Sequence, residues 1–255
     1  FSSTSELDGM TNLPVNTIFE QTDDTPTYWW KQSDNTWALD GSVGSTLSGF
    51  TAIPSGDGQV TESNGTISFT MNASDKSSGV YKELPATAGT SWVLRYKFAI
   101  TTNNASFSSH AAQTQGIIDS VTGSSTWEDP PTDSIAMYYK HAYHADAFAN
   151  YYVDGSSGSH DWGNRAQSVD DGSGKTYYVE IINNNGSMTT TYYSDSTFET
   201  SAYTTAAYSV ASGVNTASKQ IFFFNQQTPS STVSGSVVGT ISEITFYNNR
   251  SSVPS

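Results

Sequence analysis

Residues 91–102 read SWVLRYKFAITT, with Trp92, Leu94, Tyr96, Phe98 and Ile100 at every second position and Val93, Arg95, Lys97 and Ala99 between them. A repeat of two belongs to a strand that buries one face, whereas a helix needs apolar residues about 3.6 apart. The same alternation appears in Ile67, Phe69 and Met71. Further strands are legible at residues 135–140, 176–182, 187–194, 220–225 and 238–247. Asn183-Asn184-Asn185-Gly186 separates two of them, as in a hairpin whose turn needs φ > 0. Many short strands with turn punctuation predict an all-β, antiparallel jelly-roll sandwich. The Ala-rich stretches 110–121 and 201–210 stay open between strand and a short helix on the rim.

The 255 residues suffice for one large domain with a small appendage. In residues 1–45, three short strands near 17–22, 27–31 and 36–39 carry Ile18, Phe19, Tyr28, Trp29, Trp30 and Trp37. Three strands are too few to fold alone, so this part is expected to dock on the main domain or on another chain. Tyr28, Trp29, Trp30 and Trp37 are its candidate attachment residues, and Gly41 to Ser45 reads as a linker into a sandwich spanning 46–255.

Composition narrows the partners. Ten Lys and Arg against 24 Asp and Glu give a formal charge of −14, and only 13% of residues are charged. So few cations cannot neutralise many phosphates, which argues against nucleic acid and anionic membrane surfaces. No run approaches the ~20 apolar residues of a membrane span. The surface is instead built from 74 Ser and Thr, 16 Asn and a share of the 33 aromatics. The absence of cysteine excludes disulfides, thiolate nucleophiles and thiolate metal sites. The chain opens at Phe1 without initiator Met or apolar leader and reads as a processed or excised product. The sequons at Asn64, Asn72, Asn104, Asn185 and Asn249 are as many as this composition supplies by chance.

The segment TYYVEIINNNGSMTTTYYSDSTF (176–198), together with GTISEITFYN (239–248), resembles the strand patterns of concanavalin A-like and laminin-G-like jelly rolls. The resemblance implies two curved antiparallel sheets and functions ranging from lectins to glycosidases. Separately, LPVNTIFEQTDDTPTYWWKQSDNTW (13–37) is similar to a segment of phage and archaeal-virus structural and fibre proteins, which implies a virion or surface-fibre setting.

A glycosidase on such a fold needs two carboxylates beside the scissile bond. The one Glu-x-Asp, Glu6 and Asp8, is followed by Met10 and Thr11 where a third carboxylate belongs, and Glu180 in YVEII reads as an outward strand residue. Gly174-Lys175-Thr176 ends like a phosphate-binding loop, but Val169 replaces the first glycine and a strand follows, so it reads as a turn. A glycoside hydrolase or lyase is therefore the third reading.

Residues 137–162, MYYKHAYHADAFANYYVDGSSGSHDW, concentrate histidines and aromatics. His141, His144 and Asp146 are weak metal candidates by spacing, and Asp170-Asp171-Gly172-Ser173-Gly174 is an acidic turn of the kind that, in the jelly rolls it resembles, holds calcium. Sugars stack their C–H faces on aromatic rings, so Trp127, Tyr138, Tyr143, Tyr151 and Trp162 are the glycan-binding candidates. Alternation sends Tyr138 and Tyr139 to opposite faces. The sequence thus predicts a non-catalytic surface or virion protein, located outside the cell, that binds glycans or cell-surface polysaccharide. The alternative is a shell, decoration or fibre subunit whose aromatics are buried against other subunits.

Overall fold

The computed structural model describes residues 18–21, 27–31, 37–40, 45–53, 59–72, 78–84, 87–104, 106–107, 111–118, 134–141, 147–154, 157–160, 172–210, 220–227 and 233–252. The strands of the first half are β1 (Ile18–Gln21), β2 (Thr27–Lys31), β3 (Trp37–Asp40), β4 (Ser45–Thr46), β5 (Thr51–Ala52), β6 (Val60–Ser63), β7 (Thr66–Met71), β8 (Ser78–Glu83), β9 (Ser91–Asn103), β10 (Ser106–Phe107) and β11 (Ala111–Ile118). Those of the second half are β12 (Ser134–His141), β13 (Ala147–Asp154), β14 (Ser157–His160), β15 (Lys175–Asn184), β16 (Ser187–Tyr193), β17 (Ser201–Thr204), β18 (Tyr208–Ser209), β19 (Gln220–Gln227), β20 (Val233–Ser234) and β21 (Val237–Asn248). A nine-stranded sheet runs β17-β16-β15-β9-β21-β7-β6, with β18 on β16 and β4 on β21, and a seven-stranded sheet runs β14-β13-β12-β11-β19-β8-β5. Every pairing among the described residues is antiparallel, and one core joins the two large sheets into a jelly-roll β-sandwich. β1, β2 and β3 form a separate three-stranded sheet, while β10 pairs β20.

β9 occupies the middle of the larger sheet, with β15 registered along it from Ser91 to Ile100 and β21 from Trp92 to Asn103. Trp92, Leu94, Tyr96, Phe98 and Ile100 all point into the core and are at most 1% exposed. Burying side chains of this size contributes roughly 1.5–3 kcal/mol each. Phe98 stacks on Phe69 of β7 at 5.5 Å. Phe223 of β19 joins the sheets, edge-on to Tyr96 at 5.9 Å and to Phe50 at 5.7 Å. Gly239 of β21 lies opposite Phe69 and Ile100, where an added Cβ would come within 2.4 Å of both the Ala99 carbonyl oxygen and Phe69 Cζ.

Turn chemistry closes the hairpins. Asn185 (φ 50°) and Gly186 (φ 86°) form a two-residue turn between β15 and β16, and Asn64 (φ 52°) with Gly65 (φ 77°) does the same between β6 and β7. Positive φ at both positions matches the right-handed twist of the flanking strands. Asn64, Asn185 and Asn249 all have positive φ, so three sequon asparagines have a conformational reason to be there.

No helix occurs among the described residues. The stretches left open between helix and strand are strands: β11 within 110–121, β17 and β18 within 201–210. β11 pairs along its whole length with β12 on one side and β19 on the other, and these ladders outweigh the helix propensity of its alanines. Gly174-Lys175-Thr176 is a turn entering a strand, with Gly174 at φ 80° and its N–H donating to Ile100 O at 2.8 Å.

Gly239→Ala drives its methyl into backbone, which cannot swing aside. It is expected to cost about 3 kcal/mol, read as a lowered urea midpoint at unchanged slope. Burial pushes the Tyr96 and Tyr192 phenols well above their usual range. The fold holds these protons more tightly than the unfolded chain, so their contribution is full below about pH 10 and is lost as pH rises further. A pH titration is expected to show thermal stability falling above about pH 10, two phenols ionising only on unfolding, and a smaller loss in Tyr96→Phe.

Candidate functional site

Ile221 and Phe223 face the core, and Phe222 between them belongs to the other face of the seven-stranded sheet, where it too is fully buried. Register extends this outer row from Tyr81 through Phe222, Gly116 and Ala136 to Tyr151 and His160. The next row on that face is Gly79, Phe224, Thr114, Tyr138 and Ala149. Tyr138 and Tyr151 are thus diagonal neighbours on adjacent strands, a spacing of about 7–8 Å. Around them the strip consists of small residues: Gly116, Ala136, Ala149 and Thr114. Tyr139 falls on the other face, in the row of Asn225 and Ser78, both buried.

The remaining candidates distribute as follows. His141 ends β12 opposite Ala111. Trp127, Tyr143, His144, Asp146, Trp162, Asp170 and Asp171 lie outside the described residues. The turn after the two aspartates is anchored on β9, where Ser173 Oγ accepts from Asn103 N at 2.7 Å. Among the described residues no three His, Asp or Glu gather as metal ligands. Of the attachment candidates, Tyr28 and Trp30 share one face of the three-stranded ladder, and Trp29 and Trp37 share the other.

The outer face of the nine-stranded sheet carries a second cluster. Arg95 and Glu180 are cross-strand partners on β9 and β15, and Nε and Nη2 of Arg95 donate to Glu180 Oε2 at 2.7 and 2.6 Å. Tyr193 of β16 donates its hydroxyl to Glu180 Oε1 at 3.0 Å. The Phe198 ring covers the guanidinium, 4.1 Å from Cζ to the ring centroid, and meets Tyr193 and Tyr178 edge-on at 5.3 and 5.9 Å. In the adjoining row Lys97 pairs with Glu243 at 3.2 Å and lies 5.7 Å from the Tyr178 centroid.

Glu180 points outward as its strand position predicts, yet it is only 6% exposed because Arg95, Tyr193 and Phe198 roof it. Burial first, and then the Glu180 carboxylate, holds the Tyr193 phenol above its usual range. The hydrogen bond to Glu243 does the same for the Lys97 ammonium. Phe198 sits at φ +58°, in a turn built by Asp195, whose carboxylate accepts from the backbone N–H groups of Thr197, Glu199 and Thr200 and from the Thr197 hydroxyl. These bonds hold the Asp195 carboxyl well below the usual carboxylate range. Sequence reasoning missed Arg95, Phe198 and Asp195 as members of one cluster. The Asp195-Ser196-Thr197 turn signal was present, but pairing Arg95 with Glu180 needs the β9–β15 register.

No family model matches the chain, and no curated protein matches it. Solved structures do. The CBM2 module of the Lactobacillus casei BL23 phage J-1 evolved Dit is similar over 81% of this chain and 93% of its own, at 10% identity and TM-score 0.53. The Emp47p carbohydrate recognition domain aligns over 83% of this chain and 94% of its own, at 9% identity and TM-score 0.54. The VIP36 exoplasmic/lumenal domain in its Ca2+/Man3GlcNAc-bound form aligns over 81% and 87%, at 7% identity and TM-score 0.55. At such identities the likeness is one of fold, the lectin-like jelly roll.

Glu180→Ala leaves a partly covered guanidinium without its carboxylate and is expected to cost about 2 kcal/mol, with Glu180→Gln about half that because an acceptor remains for Tyr193. Urea unfolding of the two variants checks both values.

Proposed function

We propose that this chain is a non-catalytic, lectin-like protein of an extracellular surface or virion that binds neutral glycans through the outer face of its seven-stranded sheet. The observation that carries the reading is the diagonal placement of Tyr138 and Tyr151 on that face, among residues as small as Gly116, Ala136 and Ala149. Tyrosines at these register positions suit a surface on which pyranose C–H faces stack. Trp127, Tyr143 and Trp162 are proposed to complete the contact surface. The fold shared with a phage carbohydrate-binding module and with carbohydrate recognition domains supports this reading.

The non-catalytic part rests on the missing carboxylate motif and on Glu180, which is already engaged by Arg95 and Tyr193. Residues 1–45 are proposed as the attachment segment and 46–255 as the sandwich. In support, among the described residues β1, β2 and β3 pair only with one another, while Ser45–Thr46 already pair with β21. Calcium is proposed as a loop-bound support for sugar contact. Asp170 and Asp171 supply hard oxygen donors suited to it, unlike the imidazoles of His141 and His144. The relative VIP36 is described in a Ca2+-bound form.

The test is a glycan array probed with the whole chain, in calcium and again with chelator. Saturable binding to a class of neutral glycans, reduced tenfold or more in Tyr138→Ala or Tyr151→Ala, is the expected result, with chelator sensitivity reporting the metal. A blank array from folded protein that assembles into symmetric oligomers supports the structural-subunit reading instead.

A further inference from the structure

We infer that the outer face of the nine-stranded sheet holds a second glycan-contacting platform, formed by Tyr178, Tyr193 and Phe198, on the opposite side of the sandwich from Tyr138 and Tyr151. The inference rests on the glycan-binding reading above and adds a site to it.

Backbone geometry points to it first. A bulky residue in the left-handed region is an outlier that persists only where its surroundings enforce it, and such residues concentrate at functional sites. Phe198 occupies that region at φ +58°, enforced by four hydrogen bonds to the Asp195 carboxylate. The turn sets an aromatic ring on the solvent side of the sheet, where Tyr178, Tyr193 and Phe198 all remain partly exposed. There the ring roofs the Arg95–Glu180 pair, on the face away from the core, and keeps part of its surface open to solvent.

Electrostatics then selects the occupant. Both cations of the cluster are matched, Arg95 by Glu180 and Lys97 by Glu243, while Asp195 and Glu199 flank Phe198 with further negative charge, so the patch is acidic like the chain as a whole. An acidic patch whose cations are already paired repels anionic polymers and leaves uncharged ligands free to approach. The rows around the rings are hydroxyl-rich: Thr176, Thr191, Thr204, Ser201, Ser242 and Thr245. Rings bordered by hydroxyls and buffered charge suit uncharged sugar units, which offer a C–H face to stack and hydroxyls to exchange hydrogen bonds.

The test is surface plasmon resonance of the whole chain on immobilised neutral polysaccharides: mannan, galactan, dextran and β-glucan. Phe198→Gly is the informative variant, because glycine accepts φ +58° without strain and the substitution removes only the ring. Phe198→Trp restores a ring, and Tyr178→Ala is an independent ring deletion should either of the first two melt early. On the polysaccharide that wild type binds, Phe198→Gly and Tyr178→Ala are expected to lose at least tenfold in apparent affinity while the protein stays folded, with a lowered melting temperature in Phe198→Gly because the Arg95–Glu180 pair loses its cover. Phe198→Trp is expected to retain binding, and Tyr138→Ala combined with Phe198→Gly to lose more than either alone, as two-faced attachment requires. Wild-type-like binding by both ring deletions, with loss confined to Tyr138→Ala and Tyr151→Ala, overturns the second platform and leaves the first reading standing. No binding by folded wild type to any of the four overturns both.

Discussion

The alternation along β9 is the constraint on which the rest of the molecule depends. Its inward residues Trp92, Leu94, Tyr96, Phe98 and Ile100 supply much of the core, and its outward Arg95 and Lys97 organise the opposite surface. β15 and β21 hydrogen-bond along nearly its full length, so a slip of one residue would put five large apolar side chains in water and two charges in the core. The seven-stranded sheet is tied to the same strand through Phe223 against Tyr96. With the interior filled by rings, the partly exposed rings on the outer face of the nine-stranded sheet are free to meet a partner.

Those faces share a chemical character that follows from composition. A chain with few charges keeps itself solvated through hydroxyls and amides, and the charges it does place on the nine-stranded sheet are matched in pairs. The acid excess repels polyanions and leaves uncharged ligands unaffected. Under the proposed reading, aromatic residues spaced along a sheet make contact with an uncharged partner through stacking.

Much of this was legible in the residues, and the illegible parts have physical reasons. Strands with large alternating residues, such as β7, β9 and β21, and the Asn185-Gly186 hairpin are written locally. β11 was ambiguous because AAQTQGII has weak alternation and gains its strand character from two neighbours distant in sequence. β6 was overlooked although Asn64-Gly65 signals its hairpin as strongly as Asn185-Gly186 does. The orientation of Glu180 was readable from its strand, but its burial was not, since the roof comes from β9, β16 and the Asp195 turn. Tyr138 and Tyr139 were separable by alternation, whereas the partnership of Tyr138 with Tyr151 required the β12–β13 register.

The central claim, binding of neutral glycans without turnover, is tested most directly by native affinity electrophoresis of the whole chain through gels cast with neutral polysaccharides, with the reducing ends of each gel polymer assayed afterwards. The account predicts concentration-dependent retardation in at least one gel and no release of reducing ends. Unretarded migration in every gel, or retardation accompanied by steady release of reducing ends, would contradict it.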